Sequence, residues 1–154
     1  MLSESRITND ASRPSFSWPT RVYWEDTDAG SVVYHAQYAA FLERARTEWL
    51  RAQGLGQERL RAEHDLVFAV RSMQLDFIKP ARLDDLLQVR VELQQCRRAS
   101  VVFSQSIVRG DELLLTAEVR VASLAAAAFK PKPLPGALHD AFARLVIPAD
   151  NPET

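Results

Sequence analysis

The chain has one cysteine, no excess of positive charge and no apolar run long enough to cross a bilayer, and each lack argues against a class of protein. Cys96 alone can close no disulfide within the chain, so packing must hold the fold and a reducing cytoplasm is the expected setting. At the end of an alternating segment it reads as a small buried hydrophobe. A formal net charge of −1 argues against nucleic-acid binding, which needs many cationic phosphate contacts; an anionic ligand must be held by a local cluster. The longest apolar run, Val119 to Phe129, is interrupted by Arg120 and Ser123, and no membrane insertion is expected. His35, His64 and His139 show no ligand spacing, so no metal site is expected; neither a glycine-rich phosphate loop nor a GxSxG elbow is present. Repeats and an interdomain linker are absent too.

What is present suits one ordinary globular domain: 154 residues, of which 47% are apolar and 25% charged. Residues 1–15, polar and without an apolar signal core, read as a flexible N-terminal extension; 16–148 form the domain and 149–154 a tail. The chain is organised around Tyr23 to Arg51. A short strand, Arg21 to Trp24, leads into an acidic loop and then a helix from about Ala36 to Ala52. Tyr38, Phe41, Leu42, Ala45 and Trp49 recur at helical spacing on one side, with Glu43, Arg44, Arg46, Thr47 and Arg51 on the other. Gly54 is placed to stop the helix in a left-handed conformation. Gln57 to Glu63 reads as loop with helical character.

From Val67 the period changes to two. Val67, Ala69, Met73, Leu75 and Phe77 share one strand face, interrupted only by Arg71, and Pro80 closes the run. Leu87, Val89, Val91 and Leu93 alternate with polar residues in the next strand. Val101, Phe103 and Ile107, then Leu113, Leu115, Ala117, Val119 and Val121, complete a three-stranded meander turned at Arg97 to Ala99 and at Gly110-Asp111. A proline-rich crossing, KPKPLP, precedes a short helix at Ala137 to Leu145. A helix with one apolar stripe and a sheet with one apolar face satisfy each other when the sheet curves around the helix, giving an α+β fold.

Asp28, seven residues before His35, stands with that imidazole near the start of the helix, where unpaired backbone N–H groups and the dipole favour negative charge. A carboxylate, an imidazole and a helix N-terminus in one segment make a candidate reaction centre. The alternative for Asp28 is a loop cap bonded to backbone amides, and Asp26 reads as a structural acid bonded to loop backbone or to an arginine.

The block FSWPTRVYWEDTDAGSVVYHAQYAAFLERARTEWLR, with VRSMQLDFIKPARLDD, CRRASVVFSQ and the KPKPLP tail, resembles the hotdog-fold acyl-CoA thioesterases. Within them it resembles the 4-hydroxybenzoyl-CoA thioesterase family and its Tol-Pal-associated, YbgC-type branch. The similarity covers roughly Phe16 to Leu145, and the block from Val22 to Arg46 is highly specific. The resemblance implies a single hotdog domain, homodimers joined sheet edge to sheet edge, a further homotetramer, and active sites at the dimer interface. It places Asp28 at the catalytic carboxylate and has His35 accompany it; for a thioester substrate the N–H groups of Tyr34 and His35 would then receive the oxyanion, and Asp28 would act as nucleophile or general base.

It also matches Arg97 and Arg98 to a phosphate-contacting turn, which otherwise is a solvated hairpin tip. The implied substrate is an acyl-CoA with a short-chain or aromatic acyl group, or an acyl carrier protein thioester, with coenzyme A entering only as part of the substrate. Gly30 would let the loop approach the acyl group, or serve as a turn residue with positive φ; Tyr38 would line the acyl tunnel, or belong to the core. The branch often carries two tyrosines where this chain has Tyr23 and Trp24, which leaves an indole N–H in place of a phenol. The competing reading is a non-catalytic hotdog protein that binds an acyl group or serves as a scaffold. A hotdog hydratase would carry a different loop pattern.

Overall fold

The computed structural model describes residues 16–148; the expectations for residues 1–15 and 149–154 fall outside that range. The helix organising the fold, α1, runs Gln37–Ala52 and buries Tyr38, Phe41, Leu42, Ala45, Trp49 and Leu50. It ends as expected, with Gly54 at φ 75° and the Leu55 amide bonded back to Leu50 O at 2.9 Å. Around it lies one antiparallel sheet of five strands in the order β1-β3-β4-β5-β2: β1 (Phe16–Arg21), β2 (Leu66–Phe77), β3 (Leu86–Cys96), β4 (Ser100–Arg109) and β5 (Glu112–Ala125). The last three are the expected meander. Inward-facing Leu87, Val89, Val91, Leu93, Ile107, Leu115 and Val119 meet the stripe of α1 in one core. Trp49 is the junction: its ring stands edge-on to Phe103 at 5.3 Å and stacks on Phe142 at 6.0 Å, tying α1 to the sheet and to α3 (Gly136–Arg144). Truncating such a ring costs about 3–5 kcal/mol.

Four expectations are corrected. The first strand is Phe16–Arg21, not Arg21 to Trp24, because the Asp26 carboxylate and the Tyr23 carbonyl bend Trp24–Asp26 into a 3-10 turn. Gln57–His64 is a true helix, α2, although only Leu60 along it is buried. In β2 the register slips between Val70 and Ser72, so Arg71 is the extra residue of a bulge and not an interruption on one face. Val70 pairs with Val121 and Met73 with Val119, and cross-strand partners share a face. Leu66, Phe68 and Val70 therefore turn inward with Met73, Leu75 and Phe77, while Val67 and Ala69 turn outward. Finally, Arg46 is not on the solvent side of α1 but buried, at 7% exposure.

Candidate active site

The loop carrying Asp28 is a miniature hairpin. Thr27 bridges Val33, the Asp28 amide donates to Val32 O at 2.9 Å, and the Ser31 amide donates to Asp28 O at 3.0 Å. A three-residue connection of this kind closes readily with one residue in the left-handed region. Here Ser31 takes that place, at φ 69°. Gly30 does not have positive φ, so it is not the turn residue expected on that ground; its need is spatial. A Cβ there would stand 3.2 Å from Asp28 Oδ1, the oxygen that accepts the Gly30 amide at 2.8 Å. The backbone cap considered for Asp28 is therefore present, but it uses one carboxylate oxygen. Oδ2 has no partner among the described residues, and the side chain is exposed.

Asp26, two residues earlier, is the structural acid. At 4% exposure its carboxylate accepts the Tyr23 amide at 2.8 Å and the Gln37 side-chain amide at 2.9 Å, and its carbonyl accepts the Tyr34 amide at 2.9 Å. Among the described residues no arginine bonds it. These bonds fasten the Asp28 hairpin to the first residue of α1. A second anchor runs to the segment before β3, where Val33 N donates to Ala81 O at 2.9 Å and Val32 bridges Arg82. Tyr38 completes it: its hydroxyl accepts the Ala81 amide at 3.0 Å, and its ring packs edge-on against Phe41 and Phe77. At 4% exposure Tyr38 packs in the core of the single chain.

The expected pair of oxyanion donors is corrected as well. The Tyr34 amide already serves Asp26 O, whereas the amides of His35 and Ala36 meet no acceptor among the described residues. The free donors at the start of α1 are thus one residue further on. The His35 side chain is exposed, 4.5 Å from the Tyr34 ring between centroids, and makes no hydrogen bond to Asp28. Tyr23, Trp24 and Tyr34 are all exposed in the single chain, Trp24 at 79% with no bond from its indole N–H among the described residues.

Arg97 and Arg98 lie elsewhere. They follow the last residue of β3, while the Asp28 hairpin is bonded to the segment just before its first. Eleven residues of strand separate the two ends by about 33 Å along the chain, at roughly 3.3 Å per residue. One chain cannot bring these arginines to its own Asp28. Cys96 is half-buried beside them, and burial pushes its thiol up, away from the reactive thiolate. Among the described residues no three His, Cys, Asp or Glu side chains are grouped to hold a metal, and no helix is long and apolar enough to cross a membrane.

The sequence reading missed one buried polar pair. Arg46 donates to Gln105 Oε1 at 3.0 Å, and Gln105 Nε2 donates to Leu42 O at 3.1 Å. The signal was there: Gln105 occupies an inward position in the series Val101, Phe103, Gln105, Ile107, and a buried amide needs a partner.

Comparison with known proteins agrees with this architecture. Residues 30–116 match the Thioesterase superfamily. Over 128 residues the chain is 49% identical to the acyl-CoA thioester hydrolase YbgC of Escherichia coli O157:H7, covering 82% of this chain and 95% of that protein. Over 130 residues it is 44% identical to the acyl-CoA thioesterase YbgC of Haemophilus influenzae, covering 84% and 96%. A probable thioesterase from Bartonella henselae superposes with a TM-score of 0.75 at 36% identity, covering 79% of this chain and 99% of that one. A 1,4-dihydroxy-2-naphthoyl-CoA thioesterase from Synechocystis superposes with a TM-score of 0.76 at 26% identity, covering 85% and 97%. With its helix wrapped by a curved five-stranded sheet and relatives this similar along most of its length, the chain belongs to the thioesterase superfamily of hotdog-fold proteins.

Proposed function

We propose that the protein hydrolyses acyl-CoA thioesters to the free acid and coenzyme A, with Asp28 as the group that acts on the carbonyl. The observation that carries this reading is the clamp on the Asp28 hairpin. It presents a carboxylate with one oxygen tied and one free, fastened to a helix start whose His35 and Ala36 amides are unspent. Those amides suit the oxyanion that develops as the carbonyl is attacked. Asp28 Oδ2 either forms a mixed anhydride and expels the thiolate, or takes a proton from the water that attacks. A single turnover in ¹⁸O-water with enzyme in excess separates these, since only the anhydride course can leave label in Asp28. In this reading His35 hydrogen-bonds the carbonyl or the leaving thiol.

We also infer that the working form is at least a dimer joined along β2. That strand is a sheet edge whose inward-facing Val70, Met73 and Phe77 remain well exposed in the single chain. A long apolar edge invites another strand, and a twofold partner would supply the far-end arginines that one chain cannot. A homotetramer, an acyl carrier protein as alternative thiol carrier, a cytoplasmic setting and a link to the Tol-Pal system rest on the resemblance and on cysteine usage. Free-thiol release from a panel of acyl-CoAs, beside the elution volume of Phe77→Lys, tests both inferences. Binding of acyl-CoA with no thiol released would point to the acyl-binding or scaffold alternative instead.

A further inference from the structure

A cavity of about 140 Å³ lies between α1, the inward face of β2 near its bulge, and β4 and β5. Its apolar wall includes Trp49, Phe68, Phe103 and Phe142, and exposed Glu43, Gln57 and Val70 stand at its mouth. Arg46 lines the same cavity. It lies nine residues beyond the start of α1, roughly two and a half helical turns from the amides at that end. Buried Phe41 and Leu42 lie between the two along the helix.

Arg46 is 7% exposed, yet its one hydrogen bond is to a neutral amide, Gln105, and it makes no ion pair among the described residues. A guanidinium carries five N–H donors and keeps its charge, so most of its bonding capacity is unspent. No side-chain nitrogen in the described interior is both fully enclosed and unbonded, so the unbonded donors of Arg46 keep accessible surface, and Arg46 lines the cavity. Burial disfavours the charge and Glu43, one turn earlier, favours it without reaching ion-pair distance. A buried charge with no ion-pair partner among the described residues is costly, and an entering anion would relieve that cost. Apolar cavities of about 150 Å³ accommodate a benzene ring.

We propose that this chamber binds a small apolar carboxylate of about one aromatic ring, its carboxylate on Arg46 and its ring among Trp49, Phe68, Phe103 and Phe142. A free carboxylic acid is also what thioester hydrolysis releases, so the chamber matches the product class of the proposed reaction. That connection rests on the hydrolase reading; the binding itself does not.

The probe is benzoate, titrated into the full chain by calorimetry while the Trp49 indole N–H is followed by NMR. Benzoate is expected to bind and shift that signal, with benzamide at least about tenfold weaker, as the loss of one charge-assisted contact implies. Gln105→Glu sets a carboxylate against Arg46 in place of the amide, giving it an internal counter-ion; it should abolish the preference for benzoate over benzamide. Arg46→Gln should do the same, and Gln105→Glu carries the test if that variant does not fold. Asp28→Asn should bind benzoate as the native chain does. No benzoate binding, an unchanged preference in a folded Gln105→Glu, or loss of binding in Asp28→Asn overturns the proposal. Failure of thiol release alone would remove the hydrolase reading and leave this one standing.

Discussion

The Asp26 carboxylate accepts the side-chain amide of Gln37 at 2.9 Å, so the hairpin holding Asp28 is bolted to the first residue of the central helix. Asp26→Ala would strip partners from the Tyr23 amide and from Gln37 in a nearly dry environment. Each bond to a charged group is worth about 1.5–3 kcal/mol, and the two share one network, so we expect a loss of about 2–4 kcal/mol in urea unfolding. Turnover should fall in the protein that remains folded, because the Asp28 hairpin is no longer held against α1. Native stability in Asp26→Ala would mean that the clamp has no mechanical role.

Ser31 bears a left-handed conformation that a side chain disfavours, at φ 69°. Replacing it by glycine removes a steric cost of about 1–2 kcal/mol, offset in part by the greater freedom of the unfolded chain. Ser31→Gly should therefore raise stability by roughly 0.5–1 kcal/mol, and Ser31→Val should lower it. Thermal melts of the two variants, which bracket the native chain if the strain is real, check this.

Arg109 joins the β4–β5 turn to the segment before β3, bonding Asp85 at 2.6 Å and Glu112 at 2.9 Å, while Lys79 also reaches Glu112 at 3.1 Å. Hydrogen bonds from Arg109 and then Lys79 hold the Glu112 carboxyl below its ordinary value of 4.5. The unfolded chain therefore binds more protons there in the interval beneath that value. Stability from this group is complete above the ordinary value and is lost as pH falls through the lowered one. Glu112→Gln should flatten that part of the stability–pH curve, and the difference should shrink in high salt because the pair is exposed. Parallel curves for the two proteins would contradict the assignment.

Arg97 and Arg98 sit at the far end of β3 from the Asp28 hairpin, so phosphate contact, if they make it, is contact across a dimer. Arg97→Ala with Arg98→Ala should raise KM for acyl-CoA by about tenfold or more with kcat nearly unchanged. A mixed dimer of this chain with Asp28→Asn should regain a native KM in half of its sites, since one site then has both intact groups. Unchanged KM in the double variant would return the turn to a solvated hairpin tip.

How far the residues announced this depends on the range of the forces involved. The stripe Tyr38, Phe41, Leu42, Ala45, Trp49 and the alternation through β3 to β5 were legible because burial is periodic along one element. The β2 face was misjudged because a single extra residue, Arg71, inverts everything before it, and a bulge leaves no mark in hydrophobicity. Arg46 looked solvated from its own helix. Only Gln105, on a strand 59 residues away, shows why it can be buried. The Asp28 hairpin was visible as a loop, but the left-handed residue in it is Ser31 and not the neighbouring Gly30, a choice made by the closure of backbone bonds. The amide donors shifted from Tyr34 to Ala36 for the same reason: Asp26 O had already taken the first.

The central claim is that one carboxylate carries the chemistry. The most direct measurement is free-thiol release from acyl-CoAs of graded length by Asp28→Asn beside the native chain, with the elution volume recorded for both. A fall in turnover of about 100-fold or more at an unchanged oligomeric state is expected, as losing a nucleophile or general base requires. Turnover within a few fold of native in Asp28→Asn, on any acyl-CoA the native chain cleaves, would contradict it.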